Sequence, residues 1–336
     1  MPTVSDPESA CERSAGGLPP EPGQPEEPRD AGSVQNLLKQ QQVAVTWSTS
    51  YNRGWDQFQS PLHTENRYLK TEMPSVSEVC AFLDELAPSD LAEDWDNVGL
   101  LIGRSDVDVR QALTCLTLTP DVAEEAIRLP VQLVVSHHPV LFHGTKRIVE
   151  NDVEGRMLLD LIEAGVAVYS AHTRFDSARQ GINQQLAEAF GLHDISPLRS
   201  SEVSPALGSG RVGYLQSPVK HSDFLETVRE TCRATYLEYT GSDASPVRHV
   251  AVACGSAAEF LDDAILAGCD TFVTGEARFH SALAARQRAV SLILVGHYAS
   301  ERPAMEWLAS RLAKQFQGLS AFASRAEHDP LQLYSS

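Results

Sequence analysis

Apolar positions along this chain fall into short continuous runs that are separated by helical patterns. Four of these runs carry polar residues at their ends: RLPVQLVVSHHP, LIEAGVAVYSAHTRFD, AILAGCDTFVTGE and RAVSLILVGHYASE. Runs that do not alternate between apolar and polar positions are typical of strands covered on both faces in a largely parallel sheet. The stretches EGRMLLDLIEAG and AAEFLDDAILAG have helical spacing and end at glycine, as C-capped helices do. The pattern predicts an α/β fold.

The polar ends of these runs predict where a site lies. In sheets of this class the carboxyl ends of the strands converge, and ligands bind in the crevice outside them. The histidines and carboxylates of the four ends are therefore candidates for one common site at the carboxyl ends of the strands.

The same pattern predicts how the chain is divided. Residues 1–30 contain seven prolines and almost no large apolar side chains, so they cannot bury enough surface to offset the entropy of ordering. Residues 31–72 show no sustained period, and we expect residues 1–72 to be a disordered or dispensable extension. A capped amphipathic helix follows Met73. We expect one α/β subdomain over 73–195 and a second over 196–330 that completes the site. The likeness of GVAVYSAHT to CDTFVTGEARFH indicates that the halves are similar.

Composition narrows the partners and the compartment. Acidic residues outnumber basic ones 45 to 27, for a net charge of −18, which argues against direct nucleic-acid and membrane partners. The six cysteines include no C-x-x-C pair and are mostly in apolar stretches, as in reduced cytoplasmic proteins. No apolar run approaches the roughly 18–20 residues of a membrane span, and the N-terminus lacks a secretory signal pattern. We expect a cytoplasmic protein.

Two adjacent histidines end the first of the four runs. His137 and His138 follow QLVVS and precede Pro139. Neighbouring side chains at a strand end point in different directions, so the two imidazoles suit two metal ions better than one. A single histidine at such a place more often hydrogen-bonds a loop, but the adjacent pair favours metal ligation.

Two further ends supply pairs with four-residue spacing. Asp176 follows the second run, with His172 four residues before it. Its carboxylate could bridge two ions, or it could cap the helix predicted in SARQGINQQLAEAF. His297 and Glu301 are four residues apart at the start of a predicted helix, so they share one face. That spacing can deliver both side chains to one ion or one pair of ions, although an isolated pair of this kind is usually a solvated surface contact.

The remaining end, TGEARFH, contains Glu276 and His280, which we place at the rim of the site. The segment CGSAAEF could hold an anion at a helix N-terminus or form an ordinary tight turn. The candidate metal ligands are then His137, His138, Asp176, His297 and Glu301. Nitrogen and oxygen donors suit Zn, Mn, Fe, Co or Ni and not Ca. Because a pair of such ions about 3.5–4 Å apart can activate water, we expect two divalent ions per chain and a hydrolytic site.

Five motifs in order identify a family resemblance: AEDWDNVGLLIG, VVSHHPVLF, AHTRFD, VTGEARFH and VGHYASERPAM. Together they resemble the NGG-interacting-factor-three-like family, also catalogued as GTP cyclohydrolase type 2 homologues, from about Met73 to about His328. The resemblance implies two intertwined α/β subdomains with mostly parallel or mixed sheets, a dinuclear metal centre and a homohexamer. The family's metal ligands fall on the same five positions. A core of about 255 residues leaves no room for the domain inserted in many members, so we expect the short form.

Two motifs depart from the family pattern. Members often have Asn-Leu where this chain has Arg174 and Phe175, and they often have Asp in the strand where it has Thr117. Arg174 could place a positive charge at the rim for a phosphate, or it could pair with a nearby Glu. We expect these departures to affect substrate contacts and not the metal ligands.

Three functions fit this site. The first is a metal-dependent hydrolase of a small molecule, by resemblance a nucleotide such as GTP whose imidazole ring is opened by metal-activated water. In that enzyme, His172 and His280 are the candidates for proton transfer. The second is a non-catalytic metal-binding or regulatory scaffold, or a metal-handling protein. The third is a metal-dependent phosphoesterase. Mixed histidine and carboxylate ligands without cysteine favour a catalytic site over a closed structural one.

Overall fold

The computed structural model describes residues 73–201 and 204–334. The predictions made for residues 1–72 lie outside the described residues. Within the described part the predicted α/β class is confirmed, since helices cover two mixed sheets of five and six strands. A two-stranded ribbon accompanies them, formed by β6 Arg199–Ser200 and β7 Gly208–Ser209.

The first sheet has the strand order β1-β4-β3-β2-β13. Its strands are β1 Gly99–Ile102, β2 Gln111–Cys115, β3 Leu133–Ser136, β4 Ala167–Ser170 and β13 Ser320–Ala323. Strands β13, β2, β3 and β4 are parallel, and β1 is antiparallel to β4. Ser136 pairs with both Cys115 and Ser170, so β2, β3 and β4 end level with one another.

The second sheet has the strand order β5-β8-β10-β11-β12-β9. Its strands are β5 His193–Ser196, β8 Arg211–Val219, β9 Glu238–Tyr239, β10 Val247–Ala253, β11 Thr271–Thr274 and β12 Ser291–Leu294. Strands β10, β11 and β12 are parallel, whereas β5, β8 and β9 are antiparallel to their neighbours. Thr274 pairs with Ala253 and Leu294, so these strands also end together. The two subdomains are similar, as expected.

Nine α-helices lie among the described residues: α1 Val76–Leu86, α2 Pro120–Arg128, α3 Val153–Glu163, α4 His172–Ser177, α5 Ile182–Ala189, α6 His221–Thr231, α7 Leu261–Leu266, α8 Phe279–Gln287 and α9 His297–Gln315. The first begins after Ser75, whose side chain accepts from the Glu78 backbone N–H while the Glu78 carboxylate accepts from the Ser75 N–H. This reciprocal cap satisfies two donors that a helix start leaves unpaired. No helix within residues 73–201 or 204–334 is both long and apolar enough to cross a membrane.

The four apolar runs form β3, β4, β11 and β12, and both faces of these strands are covered. Alternate residues of β3 enter different cores: Val135 packs in the large cluster between the sheets, and Val134 packs beneath α2 and α3. The second sheet repeats this arrangement, with Val273 in the large cluster and Phe272 in a cluster with α7 and α8. Each fully buried side chain of this kind contributes roughly 1.5–3 kcal/mol to stability. A polar substitution on either face of these strands would therefore destabilise the fold.

Membership of the sheets does not follow chain order. Strand β13, near the C-terminal end of the described residues, pairs with β2 in the first sheet, while β5 already pairs with β8 in the second. The subdomains are therefore intertwined, as the family resemblance implies. The predicted division into one subdomain over 73–195 and a second over 196–330 stays a prediction. The five described cysteines are free and buried.

Candidate metal centre

His137 is the first residue after β3, and only 1% of its surface is exposed. Its backbone N–H donates to the Cys115 carbonyl, so strand pairing continues through this position. Neither of its ring nitrogens has a hydrogen-bond partner among the described residues, although buried polar groups are normally paired. Burial lowers the pKa of His137 to about 3. The imidazole is therefore neutral at neutral pH, which is the form that binds metal ions.

His138 lies beside two other candidate ligands. Its Nε2 atom is 3.2 Å from Glu301 Oε2 and 3.3 Å from His297 Nε2. On the other side of the ring, Nδ1 hydrogen-bonds with Thr117 Oγ1 at 2.8 Å, a contact of the kind that orients metal-ligating histidines. Thr117 is one of the departures from the family pattern. Because its hydroxyl contacts a candidate metal ligand, this departure does not affect substrate contacts alone, contrary to the expectation from the sequence.

The start of α9 supplies two candidate ligands from the second sheet. Gly296 has a φ of +87° and lets the chain turn from β12 into the helix at His297. Residues four apart in a helix share a face, and His297 Nε2 lies 3.0 Å from Glu301 Oε2. His297 Nδ1 lies 3.1 Å from Glu276 Oε1, so a carboxylate holds the ring from behind.

Asp176 lies in α4, just beyond β4, and its Oδ1 atom is 3.6 Å from His137 Nε2. It does not cap the helix that follows, because α5 has Gly181 at its N-cap and no side-chain cap there. The Cys254 thiol donates to Asp176 Oδ1 at 3.2 Å. Burial, together with the negative charge of Glu301, raises the pKa of Asp176 to about 7. Two carboxylates whose oxygens lie within 4.8 Å of each other favour a cation between them.

Glu301 joins the two sides of the centre. Its Oε1 atom lies 3.9 Å from His137 Nε2, and its Oε2 atom faces His138 and His297. The proximity of these two histidines lowers the pKa of Glu301 in spite of its burial. Gly255 has a φ of +68°, and a Cβ at this position would lie 2.3 Å from Glu301 Oε1. Glycine is thus required in CGSAAEF for close approach to Glu301, which supports the tight-turn interpretation of that segment.

Three overlapping groups could each hold a metal ion, with ligand atoms that all lie within 4.8 Å of one another: His137, His138 and His172; His138, His297 and Glu301; and His137, Asp176 and Glu301. All five predicted ligands are brought together, and His172 joins them. Their assignment as ligands stays a prediction. The unpaired nitrogens of His137 and the mixture of imidazole and carboxylate donors fit one or more divalent cations.

Asp96 holds His172, a contact that no spacing in the sequence predicts. The Nδ1 atom of His172 lies 2.7 Å from Asp96 Oδ1, and the other carboxylate oxygen accepts from the Thr173 backbone N–H and hydroxyl at 3.2 and 2.5 Å. His172 has a φ of +33°, which is unusual for a residue with a side chain. The acidic residue beside Trp95 in AEDWDNVG was visible in the sequence, but nothing local connected it with a histidine 76 positions later.

The other two predictions at strand ends have different outcomes. His280 lies exposed on α8 and belongs to none of the three groups, so the structure does not bring this proton-transfer candidate to the centre. Arg174 is buried and does not offer a charge at the rim. Its guanidinium donates to Asp84 at 2.8 Å and contacts the Tyr169 hydroxyl. The predicted ion pair is therefore present, although its partner is an Asp and not a Glu.

The fold and the cluster define a class: two-sheet α/β proteins in which strand ends from both sheets assemble one histidine and carboxylate centre. The particular family follows from the sequence. The family model Duf34/NIF3 (NGG1p interacting factor 3) matches residues 74–330, and the chain belongs to this family.

Individual relatives agree with that membership. A Clostridium acetobutylicum protein named "GTP cyclohydrolase 1 type 2 homolog" is 30% identical over 238 residues, which are 70% of this chain and 89% of the relative. The "Protein NIF3 homolog" of Schizosaccharomyces pombe is 32% identical over 257 residues, 72% of this chain and 91% of the relative. A solved Bacillus cereus protein related to NIF3 shares the fold, with a TM-score of 0.73 and 22% identity over 79% of this chain and all of the other.

Proposed function

We propose that this protein is a dinuclear metal-dependent hydrolase that acts on a small molecule. The observation that carries the proposal is the position of Glu301, whose two carboxylate oxygens face different groups: His137 on one side, His138 and His297 on the other. A carboxylate placed in this way suits a bridge between two adjacent ions. When bound, two divalent cations would supply the activation of a water molecule and the polarisation of the bond that it attacks.

The centre is open on one side, which favours catalysis over a closed structural site. Three candidate ligands have partly exposed side chains: His138 (26%), Asp176 (21%) and His297 (33%). The side chains of His137 and Glu301 are buried, with 1% and 4% exposed. A substrate can therefore approach from the side of the exposed ligands. The buried pair on the opposite side would keep the donors fixed and exclude water.

His172 is the residue best placed to move a proton in this enzyme. Its Nδ1 atom is held by Asp96, and a carboxylate at one nitrogen fixes the tautomer and orientation of the ring. Proton exchange would then use Nε2. The Asp96→Asn variant should keep its metal but lose activity by roughly 10²–10⁴-fold, the usual contribution of a positioned acid or base. Loss of metal along with activity would instead make Asp96 a structural support.

Nucleotides are the first substrate class to test, because several relatives are named as homologues of a GTP cyclohydrolase. Phosphate esters are the second class, since the same metal chemistry serves both. The assay uses the full chain, stripped of metal and reloaded with Zn, Mn, Fe, Co or Ni. Metal content per chain, formate release from GTP and phosphate release from esters are measured together.

The decisive comparison is between Glu301→Gln, His137→Ala and a matched control, His193→Ala, an exposed histidine of β5. We expect two ions per chain and metal-dependent turnover in the wild type and in the control, with both lost in the two centre variants. Two ions without turnover on either substrate class would favour a metal-binding scaffold or a metal-handling protein. One ion or none would contradict the dinuclear site.

We also propose that the protein works in the cytoplasm as a homohexamer. The support is family membership for the assembly, and the acidic composition with reduced cysteines for the compartment. Light scattering on the full chain measures the mass directly, and a monomer at assay concentration would contradict the hexamer.

A further inference from the structure

Three aromatic rings meet beside the candidate metal centre, and we call them the aromatic corner: Trp95, Phe142 and His172. The Trp95 and Phe142 centroids are 5.8 Å apart, and they lie 5.9 and 6.0 Å from the His172 ring. The His172 ring lies 5.4 Å from that of His137 and 5.7 Å from that of His138. The His172 ring therefore lies between the two apolar rings of the corner and the predicted ligands.

Two of these side chains are exposed although they are large and apolar. Trp95 is 58% exposed and Phe142 is 42% exposed. Aromatic side chains bury roughly 150–250 Å² when they pack in a core or an interface, and exposed apolar patches rimmed by polar residues mark interaction or ligand-binding sites. Their position next to His172 connects this apolar surface with the metal centre.

Hydrogen bonds hold the loops that carry the corner. Asp96, the residue after the tryptophan, binds the His172 ring at 2.7 Å. Asn97 Nδ2 donates to the Leu141 carbonyl at 2.6 Å, immediately before Phe142. Loops that are fixed before a ligand arrives lose less conformational entropy when it binds. Hydrogen bonds within the chain thus fix the position of the corner.

The angles between the rings indicate which ligand chemistry fits. The ring planes of Trp95 and Phe142 cross at 68°, and each crosses the His172 plane steeply, at 75° and 87°. A planar ring that lies on one of these faces meets the edge of another, and offset stacking and edge-to-face contact are the arrangements that aromatic rings prefer. A saturated aliphatic chain has no π-face with which to make these contacts.

We propose that the aromatic corner binds a planar heteroaromatic ring of the substrate. The group attached to that ring would then lie over the exposed ligands His138 and His297. This inference rests on the proposed function for the fate of the substrate, but binding of the ring can be measured without any turnover.

The test compares two probes that share a sugar and a phosphate and differ by a purine base: guanosine 5′-monophosphate and ribose 5-phosphate. Calorimetric titration uses the metal-loaded full chain. We expect the nucleotide to bind roughly 5- to 150-fold more tightly, the range that stacking of one base on an aromatic side chain provides. Trp95→Leu and Phe142→Leu should each reduce this ratio toward one while the metal content stays unchanged.

The matched control is Tyr214→Leu. Tyr214 is 44% exposed and stacks on His249 with the ring centroids 4.0 Å apart, so it reproduces an exposed ring on a histidine away from the corner. The control should leave the ratio unchanged. Equal binding of the two probes to the wild type would overturn the inference, and so would a ratio that both corner variants preserve. A change in the mass of the assembly on Trp95→Leu would make the corner a subunit contact and would overturn it as well.

Failure of this inference can be told apart from failure of the proposed hydrolase. Base-selective binding that depends on the corner, without turnover of any nucleotide or phosphate ester, would contradict the hydrolase and leave the ring site standing. Metal-dependent turnover without base-selective binding would support the hydrolase and contradict the ring site.

Discussion

Two strand ends carry titratable residues with the same four-residue spacing, and the fold uses them differently. After β4, His172 and Asp176 both lie at the candidate centre. After β11, Glu276 reaches only the rear nitrogen of His297, and His280 is exposed. The two strand ends look alike in the sequence, yet only the end of β4 brings both of its side chains to the candidate centre.

The difference comes from where each helix begins. Helix α4 starts at His172 itself, so His172 and Asp176 lie about one helical turn apart on the same side. After β11 the chain stays outside any helix through residues 275–278, and α8 starts only at Phe279. Glu276 and His280 therefore do not share a helical face. A four-residue spacing predicts a common site only when both residues lie in one helix.

The largest effect is expected from Asp176→Asn, which removes a candidate carboxylate ligand from the β4 end. The loss in metal affinity should exceed the roughly 10–100-fold lost with a residue that only supports a ligand, and one of two ions should be missing. Metal content after dialysis, together with competition against a chelator, checks this. An Asp121→Asn variant in the exposed first turn of α2 is the control. Unchanged metal content in Asp176→Asn would remove this residue from the ligand set.

The second effect is a pH dependence to which both ends contribute. The pKa of Asp176 is raised to about 7, and a hydrogen bond with Glu301, assisted by the charge of Glu276, raises the pKa of His297 to about 9. A cation must displace both protons below pH 7, and only the proton on His297 between these two values. The logarithm of the metal affinity should therefore rise by about two per pH unit below pH 7 and by about one between pH 7 and about 9. Metal titrations on both sides of pH 7 measure the slopes, and an affinity independent of pH would contradict the prediction.

A smaller effect is expected from Glu276→Gln at the β11 end. The amide keeps the shape but loses the charge behind His297, so metal affinity should fall by about 10–100-fold. The pKa of His297 should fall as well, which moves the upper part of the pH dependence to lower pH. Chelator competition and a histidine titration by NMR measure the two changes. If His297 titrates as in the wild type, Glu276 does not support it.

The smallest effect is expected from His280→Ala. The side chain is exposed on α8 and lies outside the three candidate metal groups, so metal affinity and turnover should change by less than about twofold, as for a surface substitution. This variant also serves as the control for Glu276→Gln. A large loss of turnover would restore His280 as a proton-transfer residue and would remove the contrast between the two strand ends.

Much of the fold was predictable because the strands carry their own signal. The runs that form β3, β4, β11 and β12 do not alternate between apolar and polar positions, since each strand is covered on both faces. The cap at Ser75 was predictable for a similar reason, because its donor and acceptor lie three residues apart. The return of β13 to the first sheet was not, since four residues of strand do not specify which distant neighbour they pair with.

The sequence by itself determined the α/β class and the five candidate ligands, because strand burial and helical spacing are local patterns that a chain must repeat wherever it folds. Only the tertiary structure decided which residues support those ligands. Asp96 reaches His172 across 76 positions, Thr117 reaches His138 across 21, and Glu276 reaches His297 from another strand end. Contacts between distant elements depend on how strands from both sheets end together, and no local spacing encodes them.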